Sequence, residues 1–395
     1  MYTNASIILQ NKLKFNEAIN FYKKALNLAE NLSDLYLIEE LNYKLGMCYY
    51  KLGSLVVSRE YFQQSYIGAL EIGDTIGIIN NLNYFGLISK RKEMYDSARL
   101  SFRSILEIPI KRNKKVRYWG MAYHNIGASF VNEENLDSAR KYYKKAIAIK
   151  TKNKLSSTIY KNKSLLLTFL DLAEVEIKSK EYLVAMGYLN YVLDSSNMMF
   201  SESLIKEDFN YLNSIMKVYS MKGECLEKLY KDGDASGYLT DANDNYLEAL
   251  KLINDSRQKF RTFQEIEILN KQYNAVFNSI VDLNYRLYTL TNDREYLHST
   301  FRYVENAKSF GLFQSLNRNQ AIESAGVPAS IIMEIDRLNN MASFYSSQIE
   351  KIEQKQVIDA ADSTRLIEFS IDKTKNEESL KDLMKNLENN YANYY

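Results

Sequence analysis

A pattern of small and aromatic residues recurs at nearly constant spacing along most of this chain. In its clearest early copy, Gly46 and Tyr49 precede Ser58, Phe62 and Ser65. Small residues at these spacings let two helix backbones approach closely, and the aromatic ring fills the space beside them. The small position of the second segment returns almost evenly, at Ala18, Ser58, Ala98 and Ala139. This regular interval predicts a stack of helix pairs.

Later copies of the pattern are looser but keep the same order. Their second helices are marked by Ala185, Ala242 and Thr300, and a Gly- and Asp-containing segment at 231–237 predicts an enlarged turn in the sixth copy. A weaker match is typical of the end of a repeat array, where a capping unit is needed. We therefore predict about seven helix pairs over residues 1–310.

The repeated residues resemble the tetratricopeptide pattern W-x2-L-G-x2-Y…A-x3-F-x2-A, with Tyr or Asn at the Trp place. The resemblance implies an all-α protein, an α-solenoid of helix pairs. The period exceeds the usual value of about 34, which indicates either longer helices or a longer link between repeats. The predicted packing residues are Gly46, Phe62, Gly86, Ala98, Phe102, Gly127, Ala139, Tyr143 and Ala146.

Composition agrees with a helical protein and argues against several functional classes. Two prolines and fourteen glycines leave few helix breaks, and the net charge of +2 gives no bulk field to attract nucleic acid. No stretch approaches the ~20 apolar residues of a membrane span. Since the first residues also lack the pattern of a signal peptide, a cytoplasmic location without a membrane partner is expected.

The residues needed for common catalytic sites do not occur in the right spacing. The sequence has no phosphate-binding loop, dinucleotide-binding glycine motif, nucleophile elbow or zinc-protease motif. Cys48 and Cys225 both follow a small helix position, so we predict reduced core thiols rather than a disulfide or a metal site. His124 and His298 fall inside repeat helices. We therefore predict neither enzymatic activity nor a cofactor.

The chain changes character after about residue 310. One long helix is predicted from Ala329 to about Gln356, and a more polar one from about Ser363 to Tyr391, with a narrow apolar stripe at Leu380, Leu383, Met384 and Leu387. We predict that residues 311–395 form a helical linker or hairpin. The polar end at Tyr395 has no capping element, so an effector domain is expected to follow it.

The segment from Glu305 to Lys351 looks like the junction of bacterial TPR–CHAT proteins, in which the last repeat helix leads into a Gly-Val-Pro turn and a long helical pair. The matching residues are Glu305, Lys308, Leu312, Gly326, Val327 and Pro328. The resemblance implies the regulatory arm of a caspase-like protease that uses a His–Cys dyad. Because no strand-rich region is present to assemble such a dyad, this chain would be the sensor part without the protease.

A tetratricopeptide array implies a binding groove lined by the first helix of each repeat. Mapping the exposed places gives Asn, Tyr and Lys side chains suited to hold an extended peptide, with apolar pockets between them. The predicted groove residues are Tyr43, Lys44, Met47, Tyr50, Asn83, Leu87, Lys90, Arg91, His124, Asn125, Ala128 and Val131. The Lys, Asn and Arg clamp of chaperone-binding relatives is not matched, which argues against a C-terminal carboxylate ligand. The alternative is that these side chains face only water.

The densest basic run, from Lys111 to Lys115, is followed by Arg117, Tyr118 and Trp119. Lysines on phosphates with Trp119 as a stacking platform would make a nucleic-acid site. A turn between repeats, whose aromatic residues begin the next helix, is the alternative, and the near-neutral chain favours it.

Three functional hypotheses follow from these patterns. The first is a non-catalytic scaffold that binds a protein or peptide partner. The second is the regulatory arm of a CHAT-type protease, with its effector domain in cis. The third is the ligand-sensing arm of a bacterial signalling regulator, since related arrays precede such domains.

Overall fold

A computed structural model describes residues 15–151, 159–199, 209–230, 237–257, 263–303, 328–353 and 360–390. Within these ranges the chain is helical apart from short links, and no strand occurs there. The predicted all-α fold is confirmed: consecutive helices pack in pairs of the tetratricopeptide type and are followed by a helical hairpin.

The helices of the array follow the repeat order of the sequence. They are α1 Phe15–Asn31, α2 Leu35–Lys51, α3 Leu55–Ile72, α4 Thr75–Arg91, α5 Tyr95–Glu107, α6 Arg112–Asn132, α7 Leu136–Thr151, α8 Ile159–Lys178, α9 Tyr182–Met199, α10 Phe209–Leu229, α11 Gly237–Arg257 and α12 Phe263–Thr291. Residues 294–303 are also helical. The hairpin comprises α13 Ala329–Glu353 and α14 Ala360–Asn390.

Helix length explains the long repeat period. Helices α1 and α2 have 17 residues each and α3 has 18, and they are joined by residues 32–34 and 52–54. The first helices α2 and α4 begin at Leu35 and Thr75, an interval that equals the one between the small residues Ser58 and Ala98. The longer helices therefore account for the period in this region, and the alternative of a longer link between repeats is wrong there.

The links between α1 and α5 recur at equal intervals, and each contains one residue with left-handed backbone. Ser33, Gly53, Gly73 and Glu93 have φ values of 54°, 81°, 71° and 59°. Glycine adopts this conformation without the steric cost that a residue with a Cβ atom incurs. The left-handed residue reverses the chain after each helix. In two links the next residue caps the following helix, since Asp34 and Asp74 accept backbone N–H bonds.

In four of the helix pairs, an aromatic ring of the second helix lies on a glycine of the first. A Cβ atom on Gly46 would meet three Phe62 ring atoms at 2.8, 2.8 and 3.0 Å. The Ser58 hydroxyl also donates to the Gly46 carbonyl at 2.8 Å. The same glycine-to-ring contact joins Gly86 to Phe102, Gly127 to Tyr143 and Gly223 to Tyr246. Fully buried small residues at the helix contacts are Ala98, Ala139 and Ala146.

The chain forms two compact units, which are described separately. Unit 1 comprises residues 1–110 and 312–395, and unit 2 comprises residues 111–311. In unit 1 the helices α1 to α5 pack consecutively, and α2 also contacts α4. In unit 2 the helices α6 to α12 pack consecutively, and the first helices α6, α8, α10 and α12 contact one another in turn. The predicted boundary at residue 310 remains a prediction.

Helices α13 and α14 pack as the predicted hairpin within unit 1. Ile349 and Ile352 of α13 form a buried cluster with Leu366 of α14, and Val56 of α3 packs against that cluster. The Asn376 amide of α14 donates to the Leu338 carbonyl of α13 at 2.6 Å. Of the predicted apolar stripe, the Met384 and Leu387 side chains lie outside the described residues.

Candidate functional site

Two predicted groove residues of unit 1, Tyr43 and Tyr50, contact a tyrosine that sequence reasoning passed over, Tyr84 of α4. Tyr43 and Tyr50 of α2 meet the Tyr84 ring edge-on, with centroids 5.7 and 5.3 Å away. Tyr84 also stacks on Phe62, with their centroids 4.3 Å apart. The three tyrosines form one surface, the aromatic patch, where the first helices α2 and α4 meet.

Burial disfavours ionisation of two hydroxyl groups of this patch. It raises the pKa of Tyr84 to about 12, and it also raises the pKa of Tyr50 although the Arg91 guanidinium opposes that shift. Neutral tyrosines combine a flat apolar ring with a hydroxyl group that can donate or accept a hydrogen bond. The patch can therefore contact both the side chains and the backbone of a bound segment.

A basic residue, Arg91, borders the aromatic patch. The Arg91 guanidinium lies 4.0 Å from the Tyr50 ring centroid and donates to the Tyr50 carbonyl at 2.9 Å. Lys44 of α2 and Lys90 of α4 are half-buried. No described acidic residue forms a salt bridge with Arg91 or Lys44. The patch therefore offers positive charge at the edge of an apolar surface.

The remaining groove residues of unit 1 are also half-buried. Met47 packs against the cluster that contains Phe62 and Phe85. Asn83 and Leu87 lie on α4 with intermediate exposure. These side chains contribute to packing between helices as well as to the surface, so none of the three projects fully into solvent.

In unit 2, His124 belongs to a polar cluster that links the first helices α6 and α8. Its Nδ1 atom lies 3.1 Å from Thr168 Oγ1, and its Nε2 atom lies 3.4 Å from Asp171 Oδ2. Lys150 of α7 donates to Thr168 Oγ1 at 2.6 Å and to the Ser164 carbonyl at 2.9 Å. Burial lowers the pKa of Lys150 to about 8, although the Asp171 carboxylate opposes the shift.

Polar pairs continue along the first helices of unit 2. The Lys217 ammonium group of α10 donates to Glu174 of α8 at 2.7 Å. Burial alone would raise the pKa of Glu174, but Lys217 and Lys178 outweigh it and the pKa is lowered. Further along, the Gln272 amide of α12 donates to Asn213 of α10. Unit 2 therefore presents hydrogen-bonding groups where unit 1 presents aromatic rings.

The other predicted groove residues of unit 2 lie deeper. Asn125 is buried, with 9% of its surface exposed. Ala128 and Val131 pack against the cluster formed by Tyr143, Leu172 and neighbouring residues of α7 and α8. These three side chains contribute mainly to the contacts of α6 with its neighbours.

The basic run begins α6 rather than forming a separate turn. Lys111 lies at the N-cap position and Trp119 lies within the helix. The Lys115 ammonium group covers the Trp119 ring at 4.3 Å from its centroid, and the indole N–H is buried without a hydrogen-bond partner among the described residues. One face of the Trp119 ring is therefore covered by the Lys115 ammonium group.

Neither cysteine lies in a site suited to chemistry. Cys48 and Cys225 are free and fully buried, as the sequence predicted. Burial raises the pKa of both thiols to about 12, so thiolate, the reactive form, is disfavoured. Among the residues described, no cluster of three or more His, Cys, Asp or Glu side chains is arranged to hold a metal ion.

Two segments of the sequence match the family model of the tetratricopeptide repeat, residues 1–32 and 122–153. No curated protein matches the sequence significantly. Most of the residues that resemble a TPR–CHAT junction, from Glu305 to Val327, lie outside the described residues. In the described part of the chain, no helix is both long and apolar enough to cross a membrane.

Several solved structures of helical proteins are similar to this one. BtubC from P. vanneervenii has 12% sequence identity and a TM-score of 0.49, over 62% of this chain and 92% of that chain. The apo form of the quorum sensor NprR from B. thuringiensis has 16% identity and a TM-score of 0.49, over 71% and 75%. A tetratricopeptide repeat protein from Parabacteroides merdae has 14% identity and a TM-score of 0.36, over 70% and 97%.

Proposed function

We propose that this chain is a non-catalytic interaction scaffold that binds an extended peptide segment of a protein partner on the first-helix face of unit 1. That face is formed by α2 and α4. The observation that carries the proposal is the aromatic patch of Tyr43, Tyr50 and Tyr84 with Arg91 at its edge. Aromatic and arginine side chains are the residues that most often dominate protein-binding surfaces.

The chemistry of the patch favours a peptide that carries an acidic residue next to an apolar one. An apolar side chain would pack on the tyrosine rings, while a carboxylate would accept hydrogen bonds from the Arg91 guanidinium. Hydroxyl groups at the patch supply partners for the backbone of an extended segment. The first helices of unit 2 carry polar pairs instead, which would suit a more polar segment.

A selection experiment tests this proposal directly, because it needs no identified partner. A random peptide library displayed on phage is selected against the full chain, and the enriched peptides are synthesised with a fluorescent label. Their affinities for wild type, Arg91→Glu and Arg103→Glu are then measured by fluorescence anisotropy. Arg103 is a suitable control because it is exposed on α5, the second helix of the same pair as α4.

We expect Arg91→Glu to weaken binding at least tenfold and Arg103→Glu to change it less than twofold. Circular dichroism establishes that both variants remain folded. Equal binding by the two variants, or the failure of any peptide to enrich, would overturn the proposal.

A regulatory role for the array is a second proposal, favoured by the pairing of α13 with α14 as a hairpin. The resemblance to the TPR–CHAT junction would make the chain the sensor arm of a caspase-like protease, and a signalling regulator is the alternative effector. The size of the natural product tests this by immunoblot of native cells. A band well above 46 kDa is expected for an arm with an effector, and a band at 46 kDa would contradict it.

A further inference from the structure

Unit 1 contains a second candidate site, a cleft of about 620 Å³ between α14 and the helices α1, α2 and α3. This volume lies within the range of about 300–1,000 Å³ that is common for small-molecule sites. It is built from other residues than the aromatic patch. None of the predicted groove residues lines it.

Three helices line the cleft with one face each, and α2 adds Tyr49. Its lining residues recur three or four positions apart, at 19, 20 and 23 on α1, at 57, 60, 61 and 64 on α3, and at 370, 371, 374 and 375 on α14. Residues at these spacings share one side of a helix. Helix α14 of the hairpin therefore supplies one wall, and α1, α2 and α3 supply the other.

The array side of the cleft carries two parallel tyrosine rings. Tyr49 of α2 and Tyr61 of α3 stack with their centroids 5.4 Å apart and an angle of 5° between the ring planes. Burial raises the pKa of Tyr49 to about 12 and also raises that of Tyr61. The two stacked rings give the cleft a flat aromatic boundary, and burial disfavours ionisation of their hydroxyl groups.

Each wall of the cleft carries a lysine side chain. Lys23 lies on α1, with its ammonium group 5.7 Å from the Tyr49 ring centroid, and Lys375 lies on α14. Neither ammonium group forms a salt bridge with a described residue. Glu60 is the single carboxylate of the described lining, so the cleft has an excess of positive charge.

Apolar and hydrogen-bonding side chains complete the lining. Ile19, Val57 and Ile371 provide aliphatic surface, and Gln64 provides an amide group. Ligand pockets typically combine a mostly apolar lining with a few polar groups that fix orientation. Here the polar groups include two cations on opposite walls.

We propose that this cleft binds a small planar aromatic anion whose ring lies against Tyr49 and Tyr61 and whose acidic group lies between Lys23 and Lys375. Such a ligand bridges the two walls, because its charge contacts both α1 and α14. Binding therefore fixes the hairpin on α1, α2 and α3. The acidic group can be a phosphate or a carboxylate, since both accept hydrogen bonds from ammonium groups.

The test uses two anions and their matched uncharged or cationic analogues on the full chain. Adenosine 5′-monophosphate and indole-3-acetate are the probes, and adenosine and tryptamine are their controls. Binding is measured by calorimetry and by saturation-transfer NMR. We expect at least one anion to bind with a dissociation constant below about 1 mM, and neither control to bind. Absence of binding by both anions, or equal binding by the controls, would overturn the proposal.

Variants then locate the site. Lys23→Met is expected to weaken binding about fivefold, and adding Lys375→Met to weaken it further, because each removes one charge-assisted contact. Lys24→Met is the matched control, since Lys24 is the next residue of α1 and is exposed outside the cleft. Hydrogen exchange of residues 370–375 should slow when the anion binds wild type. Equal effects of Lys23→Met and Lys24→Met, or no slowing at 370–375, would contradict the assignment.

Discussion

Gly46→Ala tests the close approach of α2 and α3 on which the repeat depends. The added methyl group would lie 2.8 Å from two Phe62 ring atoms and 3.0 Å from a third, whereas ordinary van der Waals contact begins near 3.4 Å. The ring would have to retreat by about 0.6 Å. Phe62 is fully buried and already stacks on Tyr84 at 4.3 Å, so the movement would press on the aromatic patch.

The expected magnitude follows from two opposing effects. Overpacking a buried site costs about 1–3 kcal/mol, and three close ring atoms place Gly46→Ala at the upper end of that range. Replacing glycine by alanine within a helix stabilises the folded state by about 1 kcal/mol. The free energy of unfolding should therefore fall by about 1–2 kcal/mol.

Gly187→Ala is the matched control. Gly187 is an exposed residue within α9, and a Cβ atom there would have no neighbour within 4 Å. Only the helix propensity changes, so this variant should be stabilised by about 0.5–1 kcal/mol. The two glycine-to-alanine variants are thus expected to change stability in opposite directions.

Urea unfolding followed by circular dichroism measures the global effect. Native-state hydrogen exchange of α2 and α3 measures the local one, because repeat proteins do not always unfold as one unit. Phe62→Leu in the Gly46→Ala background should recover part of the loss, since it removes the ring edge. A double-mutant cycle with no coupling, or equal effects of Gly46→Ala and Gly187→Ala, would refute the reasoning.

Three further predictions concern stability. Burial raises the pKa of Glu39, so the folded state binds this proton more tightly than the unfolded state does. Wild type should therefore lose stability as the pH rises from the unfolded pKa of about 4.3 to the folded pKa. Glu39→Gln should show a smaller loss in thermal melts over that range, and an identical pH profile would argue against the shift. Glu93 has a left-handed φ of 59°, so Glu93→Gly should stabilise the protein by about 0.5–1 kcal/mol in urea unfolding. Gly53→Ala, at a φ of 81°, should destabilise it. A change of the same sign for both variants would be inconsistent with the turn geometry. Arg140→Met should lower the free energy of unfolding in urea by about 3–5 kcal/mol, because it leaves the buried Glu176 carboxylate without the guanidinium that donates to it at 2.8 Å. A loss below about 1 kcal/mol would mean that water replaces the guanidinium as the partner of Glu176.

The repeat architecture could be predicted from the sequence, because small and aromatic residues recur where the paired helices of each repeat touch. Gly46 and Phe62 specify one contact, and the repeat interval carries it to Gly86 and Phe102. That interval did not decide whether the extra residues lengthen helices or links, and only the helix bounds resolve it. The turns at Ser33 and Glu93 gave no clear signal either, because their left-handed residues are not glycines.

The residues of the binding surface were harder to predict from the sequence than the fold was. Tyr84 lies one repeat interval after Lys44, so the interval applied to every groove position would have found it. The partners of His124 gave no such signal, because Thr168 and Asp171 lie on α8 and meet it only through helix packing. The cleft beside α14 could not be predicted from the sequence for the same reason, since it depends on where the hairpin packs in unit 1.

Hydrogen exchange of the full chain with a selected peptide tests the proposed binding face most directly. We predict that saturating peptide slows exchange in α2 and α4, the first helices that carry Tyr50, Tyr84 and Arg91, and leaves α3 and α5 unchanged. Arg91→Glu should abolish the slowing at the same peptide concentration. Slowing confined to α3 and α5, or to the cleft residues of α14, would contradict binding on the first-helix face.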